Sequence, residues 1–122
     1  MKLLLIEDDK FFQKFYAYKL KEQNFEIELA SDGVEGMAKM QASPPNLILL
    51  DLIMPNMDGF QVLEEKIKNP ALTSIPVIVF STLGQEQDIE RAKKLGAKEY
   101  VNKSFFDFET LLAKINAVIK AQ

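Results

Sequence analysis

Apolar runs at about 3–6, 25–29, 47–51, 77–81 and 98–102 alternate with segments whose apolar residues recur at helical spacing. This alternation constrains the fold more than any other feature of the chain. Leu47-Ile48-Leu49-Leu50 and Val77-Ile78-Val79-Phe80 are continuous apolar runs, the pattern of strands covered on both faces. Strict strand–helix alternation produces a parallel sheet with right-handed crossovers and helices on both sides. With five strands, the common doubly wound, flavodoxin-like order is 2-1-3-4-5. The expectation is one α/β domain over residues 1–122, of (βα)5 type, with no linker or low-complexity segment. A chain of 122 residues buries roughly two-thirds of its surface and folds without staples.

The helices are read from stripes, caps and stops. The first, about 10–23, carries Phe12, Phe15, Tyr16 and Leu20 as its stripe, Asp9 as N-cap, and Asn24 as a residue tolerant of the left-handed region. The second follows Ser31-Asp32, contains Gly33 and Gly36, and stops at Ser43-Pro44-Pro45. Its two glycines make it the weakest by propensity. The third opens at Asp58 with Gln61 three residues on, a capping-box pattern, and ends near Asn69-Pro70. The fourth runs from Gln85 to Leu95 with a thin stripe of Ile89, Ala92 and Leu95, and Gly96 stops it. The fifth has Phe108, Leu111, Leu112, Ile115, Val118 and Ile119.

Two absences narrow the chemistry. Cys is 0, which removes thiol catalysis, disulfides and cysteine-bound zinc; His is 0, which removes serine–histidine triads and histidine-bound transition metals. Carboxylates, hydroxyls and lysines remain. Carboxylate oxygens suit Mg²⁺, Mn²⁺ or Ca²⁺. A net charge of -3 without a dense basic run argues against direct nucleic-acid binding. No apolar stretch approaches the ~20 residues of a membrane span and no signal peptide opens the chain, so the cytoplasm is the expected location.

In the order 2-1-3-4-5 the first and third strands are neighbours, and their C-terminal ends carry Glu7, Asp8 and Asp51. Three converging carboxylates repel one another unless a cation intervenes. Capping accounts for Asp9 but not for a second acid at the neighbouring strand end. Ser81 ends the fourth strand, where a hydroxyl can bond an anionic oxygen or merely shape a turn. Lys103 ends the fifth, where an ammonium can pair with Asp51 or simply face solvent.

As a set, Glu7-Asp8, Asp51, Met54-Pro55-x-Met57-Asp58-Gly59, Ser81-Thr82, Tyr100 and Lys103 resemble a response-regulator receiver domain of two-component signalling, of the single-domain chemotaxis type, with Asp32-Gly33 and Gly96-Ala97 also fitting. The resemblance implies that Asp51 accepts a phosphoryl group from a sensor histidine kinase or histidine phosphotransfer protein. It implies Mg²⁺ (or Mn²⁺) bound by Asp8, Asp51 and the Ile53 carbonyl directly, and by Glu7 through water. Ser81 and Lys103 then hold phosphoryl oxygens, and Tyr100 turns inward as Ser81 moves. Phosphorylation alters contacts with a downstream partner that the sequence does not identify. The chain departs from the family pattern in Ser104, where proline usually follows the lysine, in an apparent extra residue within 104–108, in Gly36, and in the apolar Ile53 and Leu83 flanking the site.

Two other functions compete. An Mg²⁺-dependent aspartyl-phosphate phosphatase wants a second aspartate two residues after the nucleophile, where this chain has Ile53. An FMN carrier needs a hydroxyl-rich loop after the first strand, where acids would repel phosphate. Three further expectations follow. The Lys103–Ser104 bond is trans, because a cis bond before a non-proline residue costs ~3–4 kcal/mol. Phe11 and Tyr18 flank the stripe of the first helix as docking candidates. Ile53 and Leu83 cannot orient an attacking water, so the phosphorylated state is long-lived.

Overall fold

The computed structural model describes residues 1–104 and 107–121, with strands and helices in strict alternation. Strands β1 (Lys2–Ile6), β2 (Glu26–Ala30), β3 (Leu47–Leu50), β4 (Val77–Ser81) and β5 (Glu99–Asn102) form one parallel sheet. Its order is β2-β1-β3-β4-β5, as expected. The helices are α1 (Lys10–Lys21), α2 (Gly33–Ala42), α3 (Gly59–Lys68), α4 (Glu86–Lys94) and α5 (Phe108–Lys120). Among the described residues no helix is long and apolar enough to cross a membrane.

Period-two alternation along the strands divides the core. Leu4, Ile6, Ile48, Leu50, Val77 and Val79 pack on one side with Met40, Val62, Leu63 and Ala92 of α2, α3 and α4. Leu3, Leu5, Leu47, Leu49, Ile78 and Phe80 pack on the other with Tyr16, Leu20, Leu111 and Ile115 of α1 and α5. Each such Leu, Ile or Phe contributes ~1.5–3 kcal/mol by leaving water. Both faces must be apolar, so the central strands read as unbroken hydrophobic runs.

The expected caps form. The Asp9 side chain accepts from the backbone N–H groups of Phe11 at 2.9 Å and Phe12 at 3.1 Å. Asp58 and Gln61 exchange reciprocal bonds of 2.9 Å, completing the capping box. Asn24 adopts φ 68°, the left-handed conformation anticipated after α1.

The stripe of α1 differs from the expectation. Phe15 is 42% exposed, and the buried positions are Gln13, Tyr16, Ala17 and Leu20. Gln13 tolerates burial because its Nε2 donates to the carbonyls of Glu7 at 3.0 Å and Ala30 at 3.2 Å. Phe11 and Tyr18 are both exposed, as a docking role requires. Gly36 also has a reason that propensity did not show: α2 lies so close to β1 that an added Cβ would run into the Ile6 side chain. The Lys103–Ser104 bond is trans, like every peptide bond among the described residues. The extra residue expected within 104–108 falls on a segment whose Phe105 and Phe106 lie outside the described residues.

Candidate functional site

A parallel sheet brings all its C-terminal strand ends to one edge. β1 and β3 pair with Ile6 opposite Leu50, and the ladder continues one residue further, where the Asp51 N–H donates to the Ile6 carbonyl at 3.0 Å. Glu7 and Asp51 therefore leave the sheet side by side. Glu7 is 2% exposed and Asp51 7%, whereas Asp8 is open to solvent. One carboxylate oxygen from each of these three residues lies within 4.8 Å of the others.

Lys103 completes the group from β5. Its backbone N–H donates to the Ser81 carbonyl at 2.9 Å, which sets it level with the end of β4. Its side chain is 4% exposed; the ammonium pairs closely with Glu7 Oε1 and lies 3.3 Å from Asp51 Oδ2. The second oxygen of each acid is anchored to backbone. Asp51 Oδ1 accepts from the N–H of Leu52 at 2.8 Å and of Ile53 at 3.4 Å, and Glu7 Oε2 accepts from the Asp9 N–H at 3.0 Å. The loop after Asp51 can fold this tightly because Gly59 packs against it. A Cβ there would strike the Asp51 carbonyl.

Charge in the site is not balanced. Three carboxylates against one ammonium leave an excess of two negative charges when all are ionised. Burial pushes the Glu7 carboxyl up to about 7, with the Lys103 hydrogen bond pulling the other way. Burial, and then the Glu7 charge, raise the Tyr16 phenol to about 12. An all-oxygen, electron-rich cluster with one solvent-open acid fits a hard divalent cation, which would offset the burial that Glu7 resists.

The remaining residues singled out from sequence gather around this cluster. Ser81 is fully buried at the end of β4, and its Oγ accepts from the Leu83 N–H at 3.3 Å in a local turn. The Tyr100 hydroxyl donates to the Leu83 carbonyl. Burial, followed by the charges of Asp88 and Asp51, raises that phenol to about 12. Tyr100 and Ser81 thus both grip the segment after β4, through the two ends of Leu83. Ile53 turns its N–H toward Asp51 and leaves its side chain exposed.

Sequence reasoning missed the floor beneath Lys103. The ammonium lies 5.1 Å from the Phe12 ring centroid and 5.5 Å from that of Phe80. Phe80 directly precedes Ser81, and Phe12 lies in the first turn of α1, after Glu7-Asp8-Asp9. Both neighbourhoods were legible, but the rings read as core filling.

Residues 3–116 match the protein family described as Response regulator receiver domain. PilH of Pseudomonas aeruginosa is 32% identical over 118 residues, 97% of each chain. The "DNA-binding dual master transcriptional regulator RpaA" of Synechocystis sp. is 33% identical over 119 residues, which is 98% of this chain but 49% of RpaA. The chain spans about half the length of most of the curated relatives compared, PilH excepted. Among solved structures, the Mn²⁺-bound form of the response regulator Rcp1 superposes with a TM-score of 0.81 at 32% identity, covering 96% of this chain and 90% of Rcp1.

Proposed function

Because the chain belongs to the response regulator receiver family, we propose that it is a signalling switch that accepts a phosphoryl group on Asp51. One observation carries the proposal: Asp51 Oδ2 lies 3.3 Å from the buried Lys103 ammonium, beside the oxygens of Glu7 and Asp8. With Oδ1 held by two backbone N–H groups, Asp51 presents a single oxygen for attack.

The donor is the phosphohistidine of a sensor histidine kinase or of a phosphotransfer protein, since this chain has no histidine of its own. Asp51 Oδ2 forms a bond to phosphorus as the donor's P–N bond breaks. The departing imidazole keeps the electron pair and takes a proton from solvent. Lys103 neutralises charge on the transferred group and Ser81 donates to one of its oxygens. To do so the Ser81 hydroxyl turns from the Leu83 N–H, which frees the segment that Tyr100 also holds. That movement, with Tyr100 following inward, changes the surface read by a downstream partner.

Asp8, Asp51 and the Ile53 carbonyl would hold Mg²⁺ or Mn²⁺ directly, and Glu7 through water. Bound there, the ion supplies positive charge against the phosphoryl oxygens. The chain assists only its own phosphorylation and dephosphorylation. Ile53 occupies the position where a phosphatase of this chemistry carries its second aspartate, which argues against turnover of small substrates.

The test is incubation with Mg²⁺ and a small acyl phosphate. Stoichiometric labelling of Asp51, absent in Asp51→Asn, is expected. Asp8→Ala shifts labelling to higher Mg²⁺ concentration. Unchanged Mg²⁺ affinity in Asp8→Ala sinks the ligand assignment, and turnover of many substrates in place of stable labelling of Asp51 favours the phosphatase.

A further inference from the structure

We propose that Phe12 is a positioning residue for Lys103, its ring acting with that of Phe80 to hold the ammonium over Asp51. The inference rests on the reading of Asp51 as phosphoryl acceptor.

Lys103 leaves the sheet at a fixed point, with its N–H bonded to Ser81, but its four-carbon stem is among the most flexible of side chains. The ion pairs do not fix where that stem lies. Glu7 and Asp51 share one ammonium, and Glu7 is the closer partner, so the pairs alone draw Lys103 away from Asp51. The pull of both acids also weakens whenever their charge is met by something else. A ring face neither titrates nor binds a cation from solution strongly enough to be taken away.

Among the described residues two such faces are present, from separate elements. Phe12 of α1 and Phe80 of β4 lie 5.1 Å and 5.5 Å from the ammonium, inside the ~6 Å reach of a cation–π contact. The side chain is 4% exposed, so water does little to dilute the attraction. The rings are themselves held. Phe12 stacks on Tyr16 at 5.8 Å with an interplanar angle of 5°, and Tyr16 meets Phe80 edge-on at 5.0 Å and 83°. The first turn of α1 is pinned by Asp9, which accepts from the Phe12 N–H at 3.1 Å. The segment Glu7-Asp8-Asp9 that delivers the acids thus also sets the height of the ring beneath the ammonium. Phe12 is the informative member, because it is half-buried while Phe80 lies deep in the core.

The test compares Phe12→Leu, which fills space without a ring, with Phe12→Tyr, which keeps the ring face. Labelling of Asp51 by acetyl phosphate is followed in the full chain at saturating Mg²⁺. Phe12→Leu should lower the maximal rate about tenfold, equivalent to ~1.4 kcal/mol. The half-saturating donor and Mg²⁺ concentrations should stay within about twofold, since binding is not what the ring supports. Phe12→Tyr should restore the rate.

A second readout needs no phosphorylation. The Lys103 ε-methylene protons should be shifted upfield by ring current in wild type and Phe12→Tyr, and lie closer to free lysine in Phe12→Leu. If Phe12→Leu does not fold, Phe12→Met makes the same comparison with a more adaptable side chain. A wild-type labelling rate in Phe12→Leu overturns the positioning role and leaves the acceptor reading standing. So does a loss that Phe12→Tyr fails to rescue, which marks general packing. A wild-type chain that never labels on Asp51 removes the acceptor reading, and this inference with it.

Discussion

Lys66 on α3 is 7% exposed, and its ammonium donates to the Thr73 carbonyl at 3.2 Å. Burial, and then the charge of Lys98, lower its pKa from 10.5 to about 8. Lys66→Met keeps most of the apolar stem and removes the charge. At 1.36 kcal/mol per pKa unit, a fall from 10.5 to about 8 makes the charged form cost up to about 3 kcal/mol in the folded state. Thr73 is exposed, so its carbonyl can take water in place of the ammonium. Lys66→Met should therefore stabilise the protein by about 1–3 kcal/mol at pH 7. The sign with pH is fixed by linkage. Between pH 8 and 10.5 the unfolded chain binds a proton that the folded chain does not, so wild-type stability from this group rises across that window. The advantage of Lys66→Met is complete below pH 8 and vanishes above 10.5. Urea denaturation of both proteins at pH 7, 8.5 and 10 measures it. A gap that does not narrow as pH rises, or a less stable Lys66→Met at pH 7, refutes the account of a desolvated ammonium.

Burial holds Glu7 up to about 7, so protons should compete with Mg²⁺ as pH falls from 8 to 6, by up to ~tenfold per unit. Calorimetric titration should show that slope in wild type and a flat profile in Glu7→Gln. Gly36→Ala should gain ~1 kcal/mol of helix propensity but lose ~1–3 kcal/mol by crowding Ile6, a net loss that Ile6→Val restores in denaturation midpoints. Ile53→Asn with Leu83→Glu should hasten loss of the phosphoryl group about tenfold by orienting a water. Decay after donor removal, at equal Mg²⁺, checks this, and a wild type that decays as fast as the double variant refutes it.

The sheet order and the acid cluster were legible because both follow from constraints that leave few alternatives. Strands buried on both faces must be apolar throughout, and the residue that breaks such a run marks the strand's end. Glu7 and Asp51 are those residues. Once β1 and β3 are neighbours, no further information is needed to bring the two acids together. The face of α1 was less legible. Helical spacing located a stripe, but hydrophobicity favoured Phe15 over Gln13 as a core residue, and the protein does the reverse. The deciding factor is the polar backbone of the strand ends. The Ala30 carbonyl accepts from the Glu7 N–H at 2.9 Å and from Gln13 Nε2 at 3.2 Å, and the Glu7 carbonyl takes a second bond from the same amide. Unpaired buried carbonyls are costly, so a donor on the inward face of α1 outweighs the area that Phe15 would bury. Turning Gln13 inward fixes the rotation of the helix about its own axis. That rotation leaves Phe15 at the surface and puts Phe12 on the flank beside Tyr16, one turn away and stacked upon it. The ring under Lys103 is therefore set by the hydrogen-bonding needs of two strand ends, which no apolar periodicity in α1 could have revealed.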